Sequence, residues 1–330
     1  MKLKIFLGIA FGAVLMYFAI KGIPTGDILT ALKSCSLKWI ALAILVYSFE
    51  ITMRGVRLKT LLGGKNILDY SKAAVLGLGV NCFIPLRAGE VAKIIYIHKK
   101  TKTSLLTSSL AIVCERILDV IMLGTLIVIF VLANPDLIDY WTKRFGAPQI
   151  RLSFGNISIG ILIVLMVLAL ISGIILYNKR ARKFAKEKIR ESTEKFKTIR
   201  KVFINRLGMA FLATLGIWFF DAFFLFIVSR GFESSIHLSM RDSAFMMTTT
   251  AIASLPALSP GSIGIVELLG AWAMDILGRP PGPSLAFVVT YHAMYYVMLS
   301  SITIFVVLNE GINLSKIEEK TDKVKKHLPI

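Results

Sequence analysis

Two interruptions of the same kind limit what this chain can fold into. The run Asn81-Cys82-Phe83-Ile84-Pro85-Leu86-Arg87-Ala88-Gly89-Glu90 follows one short apolar stretch and precedes another. The run Leu255-Pro256-Ala257-Leu258-Ser259-Pro260-Gly261-Ser262-Ile263-Gly264, with Glu267 close behind, does the same in the second half. Each puts proline, glycine and a carboxylate inside sequence that is otherwise hydrocarbon. Backbone can leave helical geometry at membrane depth only where protein or a wet cavity surrounds it. Paired interrupted segments in two halves of a chain point to a transporter's binding site.

The surroundings fix the class. Of 330 residues, 55% are hydrophobic, and mean hydropathy is +0.71. That composition excludes an ordinary soluble domain and predicts an all-α polytopic membrane protein. The net charge is +19, which in a soluble chain would suggest nucleic acid. Here the basic residues lie between apolar runs, so cytoplasmic retention and contact with anionic headgroups explain them, and nucleic acid is not an expected partner. Cys35, Cys82 and Cys114 show neither a disulfide framework nor metal spacing.

Full spans are expected over 5–20, 37–62, 105–133, 157–177, 207–228 and 285–308. The stretch 73–86 is too short to cross, since 14 residues rise only about 21 Å. It pairs with 89–98 as a re-entrant hairpin, and 244–258 pairs with 263–276 as a second. The segment 179–206 holds twelve Lys or Arg against three acids, which places it in the cytoplasm. The basic stretch 98–102 and the tail should lie on the same side. Counting outward gives six full spans plus two re-entrant helical hairpins, in two inverted-topology halves. Within a single membrane domain, 1–330, the halves are 1–133 and 155–309; 179–206 is a basic cytoplasmic loop and 310–330 a cytoplasmic tail. Both termini are expected inside. The first hairpin enters from the cytoplasm and the second from outside.

Each charged position has a structural and a functional reading. Glu90 follows Pro85 by one helical turn, where it either caps the half-helix and pairs with Arg87, or helps Arg87 and free amides meet a phosphate. Glu115 and Asp119 share a helix face, and Arg116 reaches Asp119 at i, i+3, leaving a spare carboxylate to pair with Arg87 across the bundle or bind a cationic headgroup. Gly261 and Gly264 allow either close packing or an exposed-amide anion site. Glu267 corresponds to Glu90 in the other half. His292 is a packed residue or a proton carrier. Asp221 is a proton site or a partner of Arg54 or Arg57, which otherwise snorkel to the inner interface.

Three ordered motifs give this pattern a family likeness. Pro85-x-Arg87-x-Gly89-Glu90-x-x-Lys93, Glu115-Arg116-x-x-Asp119 and Leu255-Pro256-x-x-Ser259-Pro260-Gly261-x-x-Gly264-x-x-Glu267 resemble the lysylphosphatidylglycerol synthase transmembrane region, or flippase-like domain. That family includes the membrane half of the bacterial multiple peptide resistance factor. Lys93 stands where the family usually has Arg, and Ser262 where it has a second glycine. The resemblance implies a lipid translocase in the cell membrane of a prokaryote. Its partner is a membrane lipid: a phospholipid, an aminoacyl lipid, or a polyprenyl phosphate or its sugar.

Substrate-binding residues are then expected among Arg87, Gly89, Glu90, Lys93, Glu115, Arg116, Asp119, Ser259, Gly261, Gly264, Glu267 and His292. No cofactor, metal or catalytic residue is expected. The chain ends at Ile330 without room for an aminoacyl-transfer domain, so that activity is not expected either. Two other classes stay open: a membrane enzyme on lipid-linked phosphate, with Glu90 or Glu115 as general base, and a non-transporting partner of a lipid synthase or glycosyltransferase.

Overall fold

The computed structural model describes residues 2–84, 88–133, 179–232, 235–255 and 259–312, with backbone alone over 2–8 and 179–204. Ten α-helices and one 3-10 turn account for these residues, and no strand occurs among them. They are α1 (Lys2–Ile20), α2 (Thr25–Lys33), α3 (Leu37–Leu62), α4 (Ile67–Phe83), α5 (Ala88–Thr101), α6 (Leu105–Ala133), α7 (Lys179–Arg230), α8 (Met240–Ser254), α9 (Ile265–Ile276) and α10 (Pro281–Asn309). Contacts divide the chain into two units, 128–206 and the remainder. The described parts of 128–206 are helical. Everything below concerns the other unit.

Among the described residues, four helices are long and apolar enough to cross a bilayer: Leu37–Leu62, Leu105–Ala133, Asn205–Arg230 and Pro281–Asn309. The expected spans over 37–62, 105–133, 207–228 and 285–308 fall on these four. The chain is therefore a polytopic membrane protein. The span expected over 157–177 lies outside the described residues. The full span expected over 5–20 falls on α1, whose stretch Ile9–Ile20 is apolar enough to cross only together with α2 (Thr25–Lys33), from which it is bent by 92°. The sequence reading assigned no element to α2. This helix is nine residues long, too short to carry a periodic signal.

Local chemistry sets several boundaries. Gly63 takes left-handed dihedrals (φ 71°) and ends α3. The Asn66 side chain accepts the Leu68 N–H and starts α4. Ser239 and Asp242 form a reciprocal capping box at the start of α8. The two short helix pairs fall where the interruptions are. α4 and α5 flank the first break, whose tip, 85–87, lies outside the described residues. α8 and α9 flank the second, and the 3-10 turn Pro260–Ser262 sits between them.

α10 is the spine on which both pairs rest. At its start, Gly282 abuts Asp27 of α2, and Arg279, just before the helix, pairs with Asp242 at 3.1 Å. That bond ties the end of α9 to the start of α8. At its far end, Glu310 accepts hydrogen bonds from Lys72 of α4 at 2.5 Å and Lys100 of α5 at 3.0 Å. The open ends of the two helix pairs thus sit at opposite ends of α10, which is about 43 Å long. Between them, α9 packs on the first half through Gly270 and Val288. α4 packs on the second half, where Gly79 abuts Thr303 and the Thr303 hydroxyl donates to the Val75 carbonyl at 3.3 Å. Small residues at these contacts let helices approach closely in lipid, where no hydrophobic force drives them together.

The tie at Glu310 has a pH signature. Hydrogen bonds from Lys72, then Lys100, hold the Glu310 carboxyl below the usual carboxylate range. A depressed folded-state pKa contributes stability above the unfolded value of about 4.3 and loses it as pH falls through the folded value. Lowering pH from about 7 to about 3.5 should therefore reduce the thermal unfolding temperature of the wild type more than that of Glu310→Gln. Detergent-solubilised protein, followed by tryptophan fluorescence, is a suitable sample; equal drops would show that the tie contributes nothing.

Candidate functional site

A cavity of about 340 Å3 lies where the two helix pairs meet. α3 contributes Arg54; α4 contributes Asn81 and Cys82; α5 contributes Glu90. α6 supplies Arg116 and Asp119, α7 supplies Asp221 and Trp218, and α10 supplies Tyr291, His292 and Tyr295. The second break adds Ser259, Gly261 and Ser262. Of the residues expected from sequence, Glu90, Arg116, Asp119, Ser259, Gly261 and His292 line this space. Gly89, Lys93, Glu115, Gly264 and Glu267 lie behind its wall, and Arg87 is outside the described residues.

One wall is an ion network joining four helices. Arg57 of α3 donates to Glu115 at 3.2 Å, to Asp119 at 2.6 Å and to Thr214 of α7 at 3.3 Å. Lys93 of α5 donates to Glu115 at 2.5 Å. Arg116 reaches Glu90 at 2.8 Å and Asp119 at 3.5 Å. Arg54 pairs with Glu50 at 2.5 Å. The shared face of Glu115 and Asp119 and the Arg116–Asp119 pair match the sequence reading. Three expectations are corrected. Arg54 and Arg57 do not snorkel: Arg57 is 1% exposed and enclosed by acids, because an unpaired guanidinium at this depth is too costly. Glu115 is not a spare carboxylate, since it is fully buried between Arg57 and Lys93. Asp221 pairs with neither arginine; it faces the cavity with no hydrogen bond or ion pair to a described residue.

Gly89 is placed by packing. Its N–H donates to the Asn81 side chain at 2.8 Å, and a Cβ there would collide with the Gly77 carbonyl. α4 and α5 can turn back on each other so tightly because position 89 is glycine. Lys93 passes over Gly77 to reach Glu115.

The second break is a clamp rather than an open anion site. Gly261 (φ 59°), Ser262 (φ 60°) and Gly264 (φ 88°) all take left-handed or related positive dihedrals. The Ser262 N–H donates to the Ser259 carbonyl at 3.0 Å and the Ile263 N–H to the Pro260 carbonyl at 3.3 Å. The Gly264 N–H donates to Glu267 at 2.7 Å. The expected row of free amides is therefore already used internally over 262–264. Glycine at 264 also lets the α1 backbone at Gly12 press directly on the turn.

Two carbonyls freed by the breaks find partners one helical turn apart on α10. The Tyr296 hydroxyl donates to the Cys82 carbonyl at 3.0 Å. The His292 Nε2 lies 3.0 Å from the Gly261 carbonyl, and its Nδ1 lies 2.6 Å from Glu267. The Tyr296 ring also lies against Gly261, where a Cβ would come within 2.6 Å. Sequence reading singled out His292, Glu267 and Gly261 separately but not their contacts, which join positions 25 and 31 residues apart.

The network makes a stability prediction. Arg57→Met removes the cation shared by Glu115 and Asp119 and leaves buried carboxylates short of a partner. Loss of one partner of a buried pair costs about 3–5 kcal/mol. Arg57→Met should therefore unfold at much lower denaturant than wild type, and Arg57→Met/Glu115→Gln/Asp119→Asn should recover part of the loss. Equal stability of wild type and Arg57→Met in bicelles would show that the network is not structural.

A family model described as the lysylphosphatidylglycerol synthase TM region matches residues 5–302. No curated protein and no solved structure matches the chain. The matched stretch includes both breaks, the ion network and the cavity between them, and on that basis the chain belongs to the lysylphosphatidylglycerol synthase TM region family.

Proposed function

We propose that the protein is a lipid translocase, a flippase or scramblase, that moves a phosphate-containing lipid or lipid-linked headgroup between leaflets. One observation carries this reading. A cavity of about 340 Å3 with charged walls lies among helices whose outer faces are apolar. That volume suits a headgroup. The tails of the same lipid would stay in the surrounding hydrocarbon. Membership of a lipid-related family supports the same class of substrate.

Arg116 is the proposed phosphate contact. Its side chain is 38% exposed, and its Nε is buried without a hydrogen-bond partner among the described residues. Guanidinium forks suit phosphate oxygens. Glu90, Asp119 and Asp221 set the field around it, and Ser259 and Asn81 offer neutral hydrogen bonds. Arg87, at the tip of the first break, belongs to the same proposal.

The topology belongs to it as well. Six crossing segments, two re-entrant hairpins and two inverted halves (1–133 and 155–309) would present the cavity to each leaflet in turn by rocking. The positions of the two open ends, at opposite ends of α10, support hairpins that enter from opposite faces. The segment 179–206 and the tail 310–330 would then face the cytoplasm, with both termini.

A second reading, an enzyme acting on lipid-linked phosphate, is favoured by one feature. Glu90 Oε2 is buried at the cavity with no partner among the described residues, as a general base would be. Glu115, the other candidate base, is enclosed by cations and cannot reach the cavity. Release of headgroup by purified protein would select this reading.

Reconstituted vesicles with a fluorescent phospholipid and an external quencher test the main one. Wild type should expose inner-leaflet probe to the quencher. Arg116→Gln should slow that exchange at least about tenfold, the equivalent of ~1.4 kcal/mol. Exchange no faster than in protein-free vesicles, across phospholipid and polyprenyl-phosphate probes, would refute translocation.

A further inference from the structure

The Glu267–His292 pair carries chemistry that headgroup binding does not use. The Gly261 carbonyl oxygen can only accept, so Nε2 of His292, 3.0 Å away, carries a hydrogen. The 2.6 Å contact between Nδ1 and Oε1 of Glu267 needs a hydrogen of its own, on one atom or the other. The pair therefore holds one proton more than a carboxylate beside a neutral imidazole. Either placement leaves the pair with no net charge, which suits side chains only 5% and 8% exposed. Glu267 has no spare oxygen to rearrange with, because Oε2 accepts the Gly264 N–H at 2.7 Å.

Loss of the shared proton would leave a single negative charge and only one hydrogen for two acceptors. The imidazole would then turn a lone pair towards Gly261 or towards Glu267. The turn it holds is strained, because Ser262 is a non-glycine residue at φ 60°. The Ser262 and Ile263 amides are held by the Ser259 and Pro260 carbonyls, and the Ser259 hydroxyl donates to the Ile263 carbonyl at 2.8 Å. The facing groups supply no replacement cation. α7 presents Asp221, α4 presents the Cys82 thiol, and α10 presents Tyr291, Tyr295 and Tyr296. α8 brings Met247 and Thr250, and α1 brings Gly12. The cavity's Arg54 pairs with Glu50, and its Arg116 with Glu90 and Asp119, rather than with Glu267.

We propose that Glu267 and His292 together form a binding site for one hydrogen ion: its presence locks the turn of the second break, and its loss releases that turn. Resting on the translocase reading, the same exchange couples lipid movement through the adjoining cavity to protons. The ligand is the ion itself, taken from and returned to water that reaches the cavity.

Hydrogen exchange of the 259–264 peptide, in the full chain in nanodiscs, tests the site without any lipid assay. Glu267→Gln is the reference, since its amide donates to Nδ1 and its carbonyl accepts the Gly264 N–H, reproducing the hydrogen bonds of the loaded pair without the carboxylate. Dividing the wild-type rate by the reference rate at each pH cancels the intrinsic base catalysis of exchange. The ratio should be near one at about pH 5 and rise about tenfold by about pH 9. With His292→Gln in place of wild type, the ratio should stay flat, whatever its offset. A flat wild-type ratio overturns the proton site. Vesicle transfer over the same range then separates the two claims. Transfer that depends on pH in wild type but not in Glu267→Gln supports coupling. Transfer independent of pH, beside a rising ratio, overturns coupling alone. Absence of transfer at every pH, beside a rising ratio, removes the translocase reading and leaves the proton site standing.

Discussion

A helix that stops inside apolar surroundings leaves carbonyls that only a protein donor can satisfy. This fold answers that constraint twice with one helix. Tyr296 takes the carbonyl of Cys82 and His292 takes the carbonyl of Gly261, from positions four residues apart on one face of α10. Without those two donors, both breaks would be costly, and no polar space could be kept between them. The pairing also explains why the end of α4 at Cys82 meets the 3-10 turn at Gly261, because a single helical turn on the spine serves both.

Much of the architecture was legible in the sequence, because it rests on local signals. Proline, glycine and carboxylates within apolar runs marked both breaks. Hydropathy placed the spans at 37–62 and 105–133 with the bounds observed. The i, i+4 spacing put Glu115 and Asp119 on one face. What stayed illegible depends on contacts between distant segments. Arg57 sits 58 residues before Glu115, and nothing near it in sequence announces that it will be the cation for two acids on another helix. Asp221 reads locally like any buried acid seeking an arginine, and only the packing of α7 against the cavity leaves it facing open space. The glycines around 261–264 suggested free amides, since sequence cannot show that a 3-10 turn and Glu267 already occupy them.

The two breaks are held by different forces. α5, which follows the first break, is fastened to α6 through Lys93–Glu115 and Glu90–Arg116. Buried networks of this kind are weak evidence for net stability, since desolvation offsets much of their attraction. Their geometry is demanding, however, and it fixes how those helices are set against each other. The turn of the second break lacks such a network. It is held by backbone hydrogen bonds, close glycine contacts and one carboxylate–imidazole pair. A change in charge therefore acts on the second break through a single pair, whereas at the first it would be shared among several.

The meeting of Gly12 and Gly264 has a mechanical consequence. Backbone lies on backbone there, without side chains to slide or repack. The opening helix of the chain is thus a stop against which the second turn rests. Bulk grafted onto either glycine would hold the two surfaces apart like a pebble in a hinge.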